Sequence, residues 1–522
     1  MRKKEKMREF SLGLKAPIQG IYLNSETIDL LSIIQCKSVE ELKKFVASCE
    51  QLGLSEQDET DWNASNLEAL KRRFVKQYQN TLVSMEQGMQ DKKSTVQATL
   101  VHCGIATDEM EAYITTFLEE GYIGVQQKLQ AEHPEQFVQL AQRAHRFIAR
   151  ERDQMKQVTY EELLAINEQL PNHNTILLGG GRYYDVVPKL YPAYDFYQIK
   201  RGLDFCYHNG MQARYHTLLD KQTMEEHLIG KSKEEILAEL SEYVSQSMDF
   251  ISQYNQEHKI GGKGLISSVD LWNEIVSFDP PYQNQWQALH GISIEELLGV
   301  FSIAQEKKPE GVTYVYNEPF LENPERRQVV LEQLKQIHAL APGLIDTIGT
   351  QMHITMQQEA EAVRQCFYDL KGLQELGIGT QITEFDMCLP ESHLFDEQGQ
   401  ISQKYTPEFI YQYKEQKMQE IAQAIRETGI ELEGVTYWSV SDTLDHNVER
   451  TNENTYQNNV PRAVVQTRYA GLYSDFARKK TVSTQKLGKE TLAELKDTAL
   501  LDEIQQEQAR QERELEPTKE NE

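Results

Sequence analysis

Seven short runs rich in β-forming residues, at 175–178, 212–218, 265–271, 312–316, 347–352, 381–385 and 435–439, are separated by longer segments of helical periodicity. That alternation predicts a parallel sheet covered by helices. An eighth run, 18–23, stands alone near the N-terminus. A closed barrel needs it as its first strand. The expected fold is therefore α/β, a (β/α)8 TIM barrel with an inserted helical region between strands one and two. The boundaries read as 1–37 for the N-terminal segment and first strand, 38–169 for the insertion, 170–486 for the rest of the barrel and 487–522 for a charged C-terminal tail.

Within the insertion, Leu67, Leu70, Phe74, Tyr78, Leu82 and Met85 form one apolar stripe at helical spacing, and Phe137, Leu140, Ala144 and Phe147 form another. Asp108 and Glu111 offer a capping pair before a third stripe with Met110, Ile114 and Phe117. If the insertion emerges from the loop after the first strand, it borders the catalytic end of the barrel. It is then expected to act as a lid, favouring attack from a chain end. The tail reads as a solvated helix that frays.

Charge and hydropathy narrow the partners. The formal net charge of −27 repels phosphate backbones, so no nucleic acid is expected. A neutral sugar is not penalised by that field. No run of about 18 apolar residues is present, so no membrane span is expected. The basic N-terminus lacks a following apolar stretch, and the six cysteines form no CxxC pair. Together these predict a cytoplasmic protein with reduced thiols and no zinc site, and a two-carboxylate mechanism would need no metal or organic cofactor. The oligomeric state is left open.

Two acidic residues close apolar strands: Glu274 in SSVDLWNEIV and Glu384 in GTQITEFDM. Side chains at the C-terminal ends of barrel strands face the active site. Glycoside cleavage needs one protonated carboxyl group to assist the leaving oxygen and one ionised carboxylate to attack or shield the anomeric carbon. Two strands of one barrel can supply both.

The segments WNEIV, YNEPFLENPERRQVVLEQL, IDTIGTQMHI, QITEFDM and GVTYWSVSDT occur in this order. Together they resemble glycoside hydrolase family 10, best known for endo-β-1,4-xylanases, over about residues 195 to 480. The resemblance implies that Glu274 is the acid/base, with Asn273 as its orienting amide, and that Glu384 is the nucleophile of a retaining mechanism. It implies that His353 holds the nucleophile, with Gln351 on the same strand face, and that Trp438 is a platform for a pyranose ring. His216 would bond a sugar hydroxyl, and Asn317 and Glu318 would serve in substrate contact or support.

Two stretches depart from the family. Where members carry Thr-x-Glu-Asn-x-x-Lys after the second strand, this chain has TILLGGGRYY, with Arg182 as a candidate replacement cation. Its three glycines lack the Gly-Lys-Ser/Thr of a phosphate loop. The family's His-Thr-Leu-x-Trp-His reads His216-Thr-Leu-Leu-Asp220-Lys221. Xylan or xylo-oligosaccharide is the expected substrate, with a different β-linked glycan as the alternative. A silent sugar-binding protein is the rival of another class.

Overall fold

The computed structural model describes residues 8–48, 62, 66–90, 112–113, 115–116, 128, 131–132, 158–186, 194–221, 228, 230–389, 407–441 and 472. Parallel strands follow one another around a ring in chain order: β1 (Ile18–Leu23), β2 (Thr175–Leu178), β3 (Gln212–Tyr215), β4 (Ile266–Asn273), β5 (Thr313–Glu318), β6 (Thr347–Thr350), β7 (Gly379–Cys388) and β8 (Gly434–Tyr437). Each pairs with the next. β1 pairs with β8 and closes the barrel. Two short runs beyond the main strands, Leu219–Asp220 and His353–Thr355, pair with the upper parts of β4 and β7. All four residues of β2 are buried, as a strand covered on both faces requires.

The helices between strands start where the sequence offers caps. Ser232 with Glu235 and Ser293 with Glu296 form complete capping boxes. The strand readings were right in place and shorter or longer at the ends. The run at 212–218 breaks after Tyr215, because the chain turns at His216 to meet Asp270 before pairing again at Leu219. The runs at 265–271 and 381–385 extend to Asn273 and Cys388.

The route of the insertion differs from expectation. Only Asn24 separates β1 from helix α1 (Ser25–Gln35), and its side chain caps that helix by accepting from the Thr27 amide at 2.8 Å. The excursion therefore departs after α1, at the N-terminal end of the barrel, and not from the loop after β1. There the Gln35 amide donates to Asn167 at 2.9 Å and to Asn209, just ahead of β3, at 2.8 Å. Helices α2 (Val39–Ser48), α3 (Leu67–Gln90) and α4 (Tyr160–Gln169) follow, and all three touch α1. α3 runs antiparallel to α1: Lys71 donates to the Ile34 carbonyl at 2.6 Å and, two turns on, Tyr78 donates to Asp29 at 2.6 Å.

The stripe residues Leu70, Phe74 and Tyr78 are buried, as its periodicity required. The stripe at 137–147, most of that around Met110, Ile114 and Phe117, and the tail from 487 lie outside the described residues. Among the described residues no helix is long and apolar enough to cross a membrane.

Barrel closure through β1 has a specific steric signature. Gly20 lies opposite Thr436 of β8, and a β-carbon added there would run into the threonine side chain. Gly20→Val should cost about 1–3 kcal/mol, the range for overpacking a filled site. Thermal unfolding of the double variant Gly20→Val/Thr436→Ala should recover much of that loss. Equal melting temperatures for the single and double variants would contradict the pairing.

Candidate active site

Glu384 sits inside the barrel mouth on β7, 2% exposed. Its Oε1 accepts from the Asn317 amide at 2.7 Å, and its Oε2 lies 3.3 Å from His353 Nε2. Asn317 is itself fixed by accepting from the Thr383 hydroxyl at 2.5 Å. Burial alone would raise the Glu384 pKa, but the His353 hydrogen bond, then the charges of His216 and His353, outweigh it and hold the carboxyl below its ordinary value. Burial would likewise strip His353 of its proton. Asp386, 3.1 Å from Nδ1, and Glu384 reverse that and push the imidazole well above its ordinary value.

Glu274 follows β4 in a left-handed conformation, φ 56°. Its amide donates to the Asn317 carbonyl at 2.9 Å, and its Oε1 accepts from Gln351 Nε2 at 2.9 Å. Burial, then the charge of Glu384, raise its pKa above the ordinary carboxylate value. Gln351, Arg182 and His216 oppose this and do not overcome it. Asn273 joins the two carboxylates, since its side-chain oxygen accepts from Asn317 at 2.9 Å and faces Gln351 at 3.4 Å.

Three further residues of the motifs lie close to the carboxylates. Glu318, expected in substrate contact or support, is fully buried, with Oε1 accepting from the amides of Ile275 and Val276 at 2.7 and 3.2 Å and Oε2 paired with Arg326 at 2.5 Å. It anchors the segment just after Glu274. Asn317 is likewise buried, a brace between Asn273 and Glu384. His216 lies with Nδ1 2.7 Å from Asp270 and Nε2 3.3 Å from Arg182.

Trp438, next after β8, stacks on Tyr22 of β1 with centroids 3.9 Å apart and makes T-shaped contacts with His353 and His216. One indole face is thus covered by Tyr22. Arg182 reaches the site because the glycines before it let the chain press on Tyr215: a β-carbon at Gly181 would overlap that ring, and the Tyr215 hydroxyl donates to the Gly181 carbonyl at 3.0 Å. That close approach accounts for Gly181, and a φ of 94° accounts for Gly180.

The sequence reading passed over Asp386, Asp270, Arg214 and Tyr22. Asp386 had a signal, two residues beyond Glu384 on the same strand face. Asp270 and Arg214 had none, because they meet only through strand neighbours: Arg214 grips Asp270 with two nitrogens and donates to Gln381 at 3.0 Å across the barrel.

If Glu318 is an anchor, Glu318→Ala strands a buried guanidinium and two amides. It should lose about 3–5 kcal/mol of stability, as breaking a buried pair does. An unchanged melting temperature with abolished turnover would instead put Glu318 at the chemistry.

The sequence profile of Glycosyl hydrolase family 10 matches residues 131–461, more than half of the chain. The match takes in β2 to β8, while β1 lies ahead of it across the insertion. A "Beta-1,4-xylanase" of Dictyoglomus thermophilum is 28% identical over 256 residues, spanning 49% of this chain and 67% of that protein. A "Thermostable celloxylanase" of Thermoclostridium stercorarium is 23% identical over 252 residues, spanning 46% and 62%. Among solved structures, a GH10 endoxylanase retrieved from a sugarcane soil metagenome gives a TM-score of 0.45 at 17% identity, covering 62% of this chain and 90% of that one. Xylanase 10B from Thermotoga petrophila RKU-1 in complex with xylobiose gives 0.43 at 20% identity, covering 55% and 79%. A closed eight-stranded barrel whose second to eighth strands fall within the profile match makes this chain a member of glycosyl hydrolase family 10.

Proposed function

We propose that the chain is a retaining endo-1,4-β-xylanase-type hydrolase acting by double displacement, with Glu384 as nucleophile and Glu274 as acid/base. The observation that carries this reading is the opposite tuning of two carboxyl groups at one barrel mouth, Glu384 lowered and Glu274 raised. Glu384 attacks the anomeric carbon while Glu274 gives its proton to the departing oxygen. Glu274 then takes a proton from water, which releases the sugar with its original configuration. Between the steps His353 holds the charge of the free nucleophile, and Asn317 aims it.

Xylan or xylo-oligosaccharide as substrate is supported by the names of the two relatives. A different β-linked glycan is the second reading, favoured by the ion pair of Arg182 and Asp220 at 3.6 Å, where the family carries other groups. Both readings share one mechanism. The buried thiols of Cys36, Cys206 and Cys366 suit a reducing compartment, in line with a cytoplasmic location.

The sign of each shift sets the pH profile of kcat/KM, which reports the free enzyme. Activity should rise as pH climbs through the lowered pKa of Glu384, below the ordinary carboxylate range. It should fall as pH passes the raised pKa of Glu274, above that range. With an aryl glycoside whose leaving group needs no acid, Glu274→Gln should abolish the alkaline fall and leave the acid limb. An alkaline limb that persists in the variant assigns it to another group.

Glu274→Ala should lose roughly 10²–10⁴-fold on unactivated xylo-oligosaccharides, the usual worth of a general acid, and far less on activated aryl glycosides. Azide should restore turnover of the aryl substrate by replacing the activated water. Equal losses on both substrates, with no response to azide, would remove Glu274 from the role.

A further inference from the structure

The profile match that contains Trp438 begins at residue 131 and so leaves out the strand that backs its indole. Tyr22 lies on β1, and β1 meets β8 only where the barrel closes, with Ile21 opposite Tyr437. Side chains two residues apart on a strand share a face. Gly20 and Tyr22 therefore project together, as do Thr436 and Trp438. In the lower layer a β-carbon on Gly20 would meet the Thr436 side chain. One layer nearer the mouth the same seam holds two rings, with centroids 3.9 Å apart and planes inclined by 8°.

The phenol is the anchored member of this stack. β1 is paired on both sides at its level, through Ile21 and Tyr437 toward β8 and through Tyr22 with Leu177 and Leu23 with Leu178 toward β2. Asn24, two residues on, is fixed as the cap of α1. Trp438 stands one residue beyond β8, and its amide donates to the Phe385 carbonyl at 3.0 Å, between Glu384 and Asp386. Its backbone is thus tied to the strand of the nucleophile candidate, while the plane of its ring is set by packing. That packing includes Tyr22 and T-shaped contacts with His353 and His216 at 5.7 and 6.1 Å. Since His353 also faces Glu384, a tilt of the indole changes the wall beside that carboxylate.

We propose that Tyr22 is a positioning residue, whose ring fixes the plane of Trp438 against His353 and so makes the closing strand β1 part of the active site. The support of Trp438 concerns the protein alone. Its kinetic consequence rests on the proposed sugar-cleaving function, because a fixed indole wall matters to turnover only if a sugar ring sits beside it.

The spectroscopic test uses full-length protein. Trp62, Trp272 and Trp286 are buried and Trp438 is partly exposed, so acrylamide should quench Trp438 first, and Trp438→Phe identifies its share. Near-ultraviolet circular dichroism should show a coupled Tyr–Trp signal in the wild type that Trp438→Phe removes. Tyr22→Leu, apolar but without a ring, should abolish that signal and make Trp438 easier to quench. Tyr22→Phe, which keeps the stacked ring, should restore the shielding.

In kinetics on xylo-oligosaccharides, Tyr22→Leu should lower kcat/KM by roughly two- to tenfold, the worth of one aromatic stack. Part of that loss should be a rise in KM, which a smaller folded fraction leaves unmoved. Tyr22→Phe should recover most of it. Added to Trp438→Ala, Tyr22→Leu should cost nothing further, since the two rings act as one unit. No coupled signal in the wild type, unchanged quenching in folded Tyr22→Leu, or additive kinetic losses in the double variant would overturn the positioning role. The expected spectra from a wild type that hydrolyses neither xylo-oligosaccharides nor aryl β-glycosides would leave Tyr22 as the support of Trp438 and refute the proposed function instead.

Discussion

Two carboxyl groups that share a barrel mouth away from water cannot both be comfortably ionised. The described site resolves the conflict by unequal solvation from the protein itself. Glu384 receives an amide proton from Asn317 and faces an imidazole that Asp386 keeps charged. Glu274 receives the Gln351 amide and feels the charge of Glu384, which with burial outweighs the charges of Arg182 and His216. The proposed division of labour between attack and proton donation rests on that inequality. Removing the imidazole's charge would weaken both halves at once, because a protonated Glu384 would cease to raise Glu274.

That inequality is built into the barrel rather than into its loops. Asn317 and Glu318 end β5, Glu384 and Asp386 lie within β7, and Asn273 ends β4. Glu318 spends its carboxylate on the backbone just beyond Glu274 and on Arg326, so the acid/base candidate hangs from a buried ion pair. Below, Arg214 and Asp270 tie β3 to β4, and Gln381 extends the tie to β7. Such polar links inside a barrel carry a desolvation cost. They also fix strand register where the chemistry needs it. Gly349 belongs to the same packing: a β-carbon there would press on Asn317 and Thr383, the brace behind the nucleophile.

The strands were legible because each is a short apolar run with a single-period pattern, and the lone run at 18–23 was placed correctly by the need to close a ring. Glu274, Glu384, His353 and Gln351 were found through local motifs, and they do converge. What stayed illegible depends on pairing across strands. Arg214 and Asp270 stand 56 residues apart and meet through a β3–β4 register shift that no local pattern encodes. Glu318 follows an asparagine just as Glu274 does, and only its contacts reveal an anchor. The departure point of the insertion turns on α1, a helix that Asn24 before Ser-Glu-Thr marks with an ordinary start but that has no place in the strand count. The helix moves the departure point from one end of the barrel to the other.

The central claim is that Glu384 forms a covalent bond to the sugar. It is tested most directly by incubating the protein with an activated 2-deoxy-2-fluoro β-xylobioside, whose fluorine slows both steps while the good leaving group lets the first proceed. Mass spectrometry of the intact chain and its peptides then locates the trapped glycosyl group. The account predicts one label per chain, carried by the peptide containing Glu384, and released, with recovery of activity, when a transglycosylation acceptor takes up the glycosyl group. A label on Glu274 or Glu318, or no label from a protein that hydrolyses the parent xylobioside, would contradict it.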